Sequence, residues 1–131
     1  MKVTADTNLL VRAVVQDDPG QALAASELLQ EAELVAVPLA VLCEFVWVLQ
    51  RVYAFTSHDC IAAIEALMAS EQVVVDGPAV RIGLAMLAAG GDFADGVMAH
   101  SGQWLGGEEL ATFDRKAAAL LKAQGIKTLL L

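Results

Sequence analysis

The sequence predicts an α/β fold: one domain over residues 1–131, a three-layer α/β/α sandwich around a parallel sheet. Three observations lead there. Short apolar runs at Val3–Ala5, Leu34–Val37, Val73–Val75, Leu110–Thr112 and Thr128–Leu130 show no clean polar–apolar alternation. Strands covered on both faces read that way, and such strands belong to parallel sheets. Between them lie longer segments with helix punctuation, and the last strand–helix–strand unit, from Leu110 to Leu131, is about the minimum for a parallel crossover. The hydrophobic content, 57% of 131 residues, suits a buried sheet and suggests an interface with a second copy.

The helical segments follow in order. Asp18-Pro19 sets a cap residue before proline at a first helical position. Pro38 opens the helix that carries Glu44. Thr56 and Asp59 have capping-box spacing, although glutamate is more usual at the second position. Gly77-Pro78 starts another helix, and Gly125 follows the run from Arg115 to Gln124 as a C-terminal cap. There is no internal repeat, linker or low-complexity tract.

Composition narrows the classes. The run 34–49 is shorter than the roughly 18–20 residues of a membrane-spanning helix, and it contains Pro38 and Glu44. The opening MKVTADTN lacks the apolar stretch of a signal peptide, so the expectation is a cytoplasmic protein. Cys43 and Cys60 fit no metal or redox spacing and read as reduced core thiols. A net charge of −8 argues against a nucleic-acid binder that relies on overall basic charge. Four of the eight basic residues (Arg115, Lys116, Lys122, Lys127) crowd the C-terminal segment.

The chemistry lies in the acids. Glu44 interrupts LVAVPLAVLCEFVWVL, a stretch that otherwise reads as core, and an ionised glutamate there needs compensation. Asp6 and Asp114 each follow a predicted strand, the end of an α/β sheet where ligands bind. Asp92 and Asp95, in GGDFADGVMAH, fall just before and within the first turn of a helix. There a carboxylate serves equally well as a simple cap, a reading that Asp6 shares. One arrangement accounts for all: Asp6, Glu44, Asp95 and Asp114 converge and hold a hard divalent cation, Mg²⁺ or Mn²⁺. Carboxylates about 5 Å apart repel by roughly 3 kcal/mol at an effective dielectric near 20. Such a pocket takes up metal, protons or a partner's cation. With phosphate as substrate, the metal activates water and offsets charge on the phosphate oxygens.

ADTNLLVRAVVQDDP, the Glu44 of VLCEFVWVL, DFADGVMA and TFDRK, in that order, resemble the PIN-domain ribonucleases, with VapC-type toxins of bacterial toxin–antitoxin pairs the nearest match. The resemblance covers essentially the whole chain. It implies a five-stranded parallel sheet in order 3-2-1-4-5 and Mg²⁺- or Mn²⁺-dependent cleavage of RNA. It puts the family's acids on Asp6, Glu44, Asp95 and Asp114, with Asp95 preferred to Asp92 as the third ligand and Asp92 in support. Thr112 takes the place of the family's hydroxyl residue, and Asn8 that of the residue orienting Asp6. It also implies a homodimer and a cognate antitoxin covering the acidic pocket. Arg12 and Arg115 are candidates for steering RNA phosphates. Gly96 and His100 depart from the family pattern; His100 and His58 read as solvated or packed residues.

Other readings fit less well. A phosphoacceptor receiver domain calls for an acidic pair after the first strand, but Thr7 follows Asp6. A dehalogenase-like phosphatase calls for an aspartate where Asn8 stands. A degenerate PIN domain acting as a non-catalytic binding module is opposed by the intact acid set.

Overall fold

The computed structural model describes residues 1–131 and contains seven helices and five short strands. It divides into two compact units, Met1–Asp76 and Gly77–Leu131. No helix is long and apolar enough to cross a membrane.

In the first unit the order is β1 (Lys2–Thr4), α1 (Thr7–Val15), α2 (Pro19–Glu31), β2 (Leu34–Ala36), α3 (Leu39–Arg51), α4 (Ser57–Met68) and β3 (Val73–Val74). The three strands pair in parallel, β1 with β2 and β2 with β3, in the register Val3↔Val35 and Val35↔Val73. The ladder outruns the strand bounds: the Ala5 N–H donates to the Ala36 carbonyl at 2.9 Å and the Val37 N–H to the Val74 carbonyl at 3.0 Å. Val35 is fully buried, as are Leu42, Phe45 and Leu49 of α3 and Ile64 of α4.

Local chemistry sets the helix starts. The Asp18 carboxylate accepts from the Gln21 N–H with Pro19 at the first helical position. Thr56 and Asp59 form a complete capping box, at 3.1 and 3.0 Å. The shorter aspartate therefore reaches back as glutamate would. The Thr56 N–H bond is the main cause holding the Asp59 carboxyl below its ordinary range. Pro38 precedes α3 without a side-chain cap bond, as proline must.

The second unit comprises α5 (Gly77–Ala88), α6 (Phe93–Trp104), β4 (Leu110–Thr112), α7 (Arg115–Ala123) and β5 (Thr128–Leu130). β4 and β5 pair in parallel. Gly125 (φ +80°) ends α7 in a Schellman motif: the Ile126 N–H reaches the Leu121 carbonyl at 3.0 Å and the Gly125 N–H the Lys122 carbonyl at 2.9 Å. Met86, Ala99 and Leu121 form a buried cluster with Leu110, Leu120 and Ile126 packed on it. Helices α5 and α6 approach closely at two glycines. A Cβ at Gly83 would lie 2.5 Å from the Phe93 ring, and one at Gly96 would lie 2.9 Å from the Ile82 carbonyl oxygen. Gly96, a departure from the family pattern, thus has a packing reason that outweighs its helix propensity.

One expectation is met in part and another is corrected. The strands pair in the order β1-β2-β3 in the first unit and β4-β5 in the second, the two parts of the expected order 3-2-1-4-5, with no pairing of β1 to β4. Strands of two or three residues offer few ladder bonds to any further neighbour. Glu44 is exposed, not buried. It lies on one stripe of α3 with Ala40, Trp47 and Arg51, all exposed, while Leu42, Phe45, Val46 and Leu49 form the core face. An exposed carboxylate there needs no partner to offset burial.

Candidate active site

In the second unit a cleft of about 240 Å³ is bordered by Asp92 and Asp95 of the α6 start and by Asp114 and Lys116 of the α7 start. Both helices begin with an aspartate cap. One Asp92 oxygen accepts from the Ala94 N–H at 3.2 Å, and one Asp114 oxygen accepts from the Ala117 N–H at 2.9 Å. Thr112, at the end of β4, accepts the Asp114 N–H on its hydroxyl at 3.0 Å. Asp114 is thus fixed at both backbone and carboxylate. In each cap the bond uses Oδ1 and leaves Oδ2 for another ligand, so capping and ligation are compatible roles for the same side chain.

Asp95 differs. It is half-buried in the first turn of α6 and no hydrogen-bond donor reaches its carboxylate. Desolvation first, then the charges of Asp92 and Asp114, raise its pKa above the ordinary carboxylate range. The cleft therefore holds an acid whose ionised form gains from a cation.

In the first unit Asp6 caps α1, accepting from the Leu9 N–H at 2.9 Å. That backbone bond, rather than the Asn8 side chain, fixes its carboxylate. Asp6, Asn8 and Arg12 border a second cleft of about 320 Å³. The Arg12 guanidinium is paired with Asp17 at 2.9 Å. Glu44 stands on the exposed face of α3 described above.

No three of the Asp, Glu, His and Cys side chains are grouped to hold a metal ion. The donor chemistry nevertheless fits a hard divalent cation. The cleft side chains are carboxylates without His or Cys, and Asp95 has a charge to be offset. Neither cysteine is in a disulfide; Cys60 is buried and desolvation pushes its pKa up to about 11. His100 accepts the Trp104 indole N–H at 3.4 Å one turn along α6 and is not among the residues bordering the cleft. Sequence reasoning missed Lys116. It borders the acidic cleft, whereas exposed Arg115 does not. Its place two residues after the Asp114 cap was the available signal.

A parallel α/β chain with aspartates at the carboxyl ends of β1 and β4 belongs to the class that binds ligands beyond its strand ends. The PIN-domain family profile matches residues 3–129, and the chain belongs to that family. PIN domains are generally hydrolytic nucleases and generally use divalent metal ions. No curated protein matches the chain.

Proposed function

We propose that the chain is a Mg²⁺- or Mn²⁺-dependent endoribonuclease and the toxin of a type II toxin–antitoxin pair. Family membership supports nuclease chemistry in general. The observation that carries the metal dependence is Asp95: half-buried, without a donor, and flanked by Asp92 and Asp114 in one cleft. On this reading Asp6, Glu44, Asp95 and Asp114 are the acid set, with Asp95 and Asp114 the direct ligands on the second unit. A divalent cation held there would supply a water of lowered pKa and would neutralise charge on the phosphate oxygens.

The chain's own residues do the rest. Thr112 holds the Asp114 backbone and the Ala117 N–H holds one carboxylate oxygen, which favours one orientation of the unused oxygen. Lys116 offers an ammonium at the rim of an otherwise anionic cleft, where an RNA phosphate would approach. Carboxylates with a free oxygen would accept the proton released as the water oxygen bonds to phosphorus, while the bond from phosphorus to one ribose oxygen breaks and that oxygen leaves with a proton from solvent.

A cognate antitoxin and a homodimer belong to the same proposal. An antitoxin that places a cationic side chain beside Asp95 would relieve the repulsion that metal relieves. The test is cleavage of a broad RNA pool with Mg²⁺ or Mn²⁺, with chelator, and by Asp95→Asn and Asp6→Asn. Metal-dependent cleavage lost in both variants is the expected result. Cleavage unchanged by chelator or by either substitution refutes the site, and an inert parent protein favours a binding module.

A further inference from the structure

We infer that Asp17 and Tyr53 position Arg12 as a phosphate-contacting residue at the cleft bordered by Asp6. The inference rests on the ribonuclease reading above and adds two positioning residues to it. Arg12 shares its cleft with Asp6 and Asn8. Its Nη1 donates to Asp17 Oδ1 at 2.9 Å, and the Tyr53 hydroxyl donates to Asp17 Oδ2 at 3.1 Å. Both oxygens of Asp17 are therefore engaged. Tyr53 comes from the turn after α3, 36 residues away in sequence, so the arrangement is a tertiary device and not a helix-end accident.

The backbone carries an independent mark. The chain has two non-glycine residues with positive φ, Gln16 at 58° and Ala54 at 56°. Gln16 immediately precedes Asp17 and Ala54 immediately follows Tyr53. Left-handed conformations are unfavourable for residues with a Cβ, and such strain gathers where geometry serves function. Here the left-handed Gln16 ends α1 and turns the chain so that Asp17 lies back over Arg12. Left-handed Ala54 lies in the turn that presents Tyr53.

An exposed ion pair by itself contributes little to stability. The side chains of the Arg12–Asp17 pair are 33% and 43% exposed. The left-handed Gln16 is also the C-cap of α1, a common helix ending, so the strain left to explain is that at Ala54. It is explained if the product is a guanidinium held in one orientation. Burial opposes ionisation of Asp17, but the bonds from Tyr53 and Arg12 outweigh it and hold the carboxyl below its usual range. The pair is then nearly neutral, with most of the five guanidinium donors unspent. Such a group gives directed hydrogen bonds to a phosphate and little long-range attraction, in keeping with a chain of net charge −8.

Two signs separate positioning from mere neutralisation. Removing the Asp17 charge adds a net positive charge beside the cleft, so simple electrostatics predicts tighter RNA binding. Loss of positioning predicts weaker binding. Tyr53→Phe changes no charge at all. The experiment measures fluorescence anisotropy of a short labelled single-stranded RNA of random sequence. The variants are made in an Asp95→Asn background, which blocks cleavage on the ribonuclease reading, and melting curves confirm that they fold.

Arg12→Ala and Arg12→Lys are expected to weaken binding about tenfold, because lysine keeps the charge and loses the fork. Tyr53→Phe is expected to weaken it about threefold to fivefold, and to have no further effect once Arg12 is alanine. Asp17→Asn weakens it too. In the cleaving protein Tyr53→Phe raises KM and leaves kcat unchanged. The inference is overturned if Tyr53→Phe and Arg12→Lys bind like the parent, if Asp17→Asn binds more tightly, or if the Tyr53 effect persists without Arg12. A parent that neither binds nor cleaves RNA overturns the ribonuclease reading and this inference together.

Discussion

Substituting Gly96 by alanine tests how α6 carries its acids. The added methyl carbon would lie 2.9 Å from the Ile82 carbonyl oxygen, 3.0 Å from that carbonyl carbon and 3.0 Å from Met86 Cγ. Comfortable contacts lie at about 3.5–4.0 Å. The Met86 side chain can swing aside, but the Ile82 backbone sits in α5 and cannot. The helices must separate by roughly half an ångström. Overpacking of this kind costs about 1–3 kcal/mol, and the better helix propensity of alanine offsets about 1 kcal/mol. The expected net loss is about 1 kcal/mol, or a Tm fall of about 3–5 °C. Gly102, on the same helix, is the control, because a Cβ there meets nothing within 4 Å. Gly102→Ala should gain up to about 1 kcal/mol. Calorimetry of the two variants gives opposite signs if the reasoning holds. Asp95 adjoins Gly96, so Gly96→Ala should also lower RNA cleavage, by about tenfold, while Gly102→Ala leaves it intact. A Tm for Gly96→Ala that rises as much as that of Gly102→Ala refutes the argument.

Two further outcomes follow from ionisation. Asp95 binds its proton more tightly folded than unfolded. The stability this provides is complete below about pH 4, the unfolded value, and is lost as pH rises through the raised folded value. Above that, the charged side chain opposes folding. In chelator, Asp95→Asn should therefore be more stable than the parent at pH 7 and nearly equal at pH 3; urea melts that show no gap at pH 7 contradict this. Cys60 is fully buried with its thiol near 11, so Ellman's reagent should leave it unmodified in the native protein and react with it after denaturation. Prompt native labelling of both Cys43 and Cys60 would show that α4 opens easily.

The parts of the fold legible in sequence were those fixed by short-range chemistry. The Asp18-Pro19 start, the Thr56–Asp59 box and the Gly125 stop each depend on groups within a few residues of one another, and each appears as read. Strands β4 and β5 match residue for residue, and β1 differs by one position because the Ala5 N–H continues the ladder beyond the assigned end. Asp92 and Asp95 were placed correctly at the α6 start for the same local reason. Glu44 lies in an apolar run that is not uniformly buried. The spacing from Ala40 through Glu44 and Trp47 to Arg51 follows one helical face, and the charges at 44 and 51 were the sign that this face meets solvent.

By itself the sequence determined the alternation of strands and helices, the caps and the family, because each is encoded in neighbouring residues or in their order along the chain. The tertiary structure alone decided that Lys116 rather than Arg115 borders the acidic cleft. It alone showed that Gly96 admits a carbonyl of α5, and that Tyr53 closes on an aspartate 36 residues earlier. Those outcomes depend on which side chains meet across the fold, and a linear order of residues does not specify distances through space.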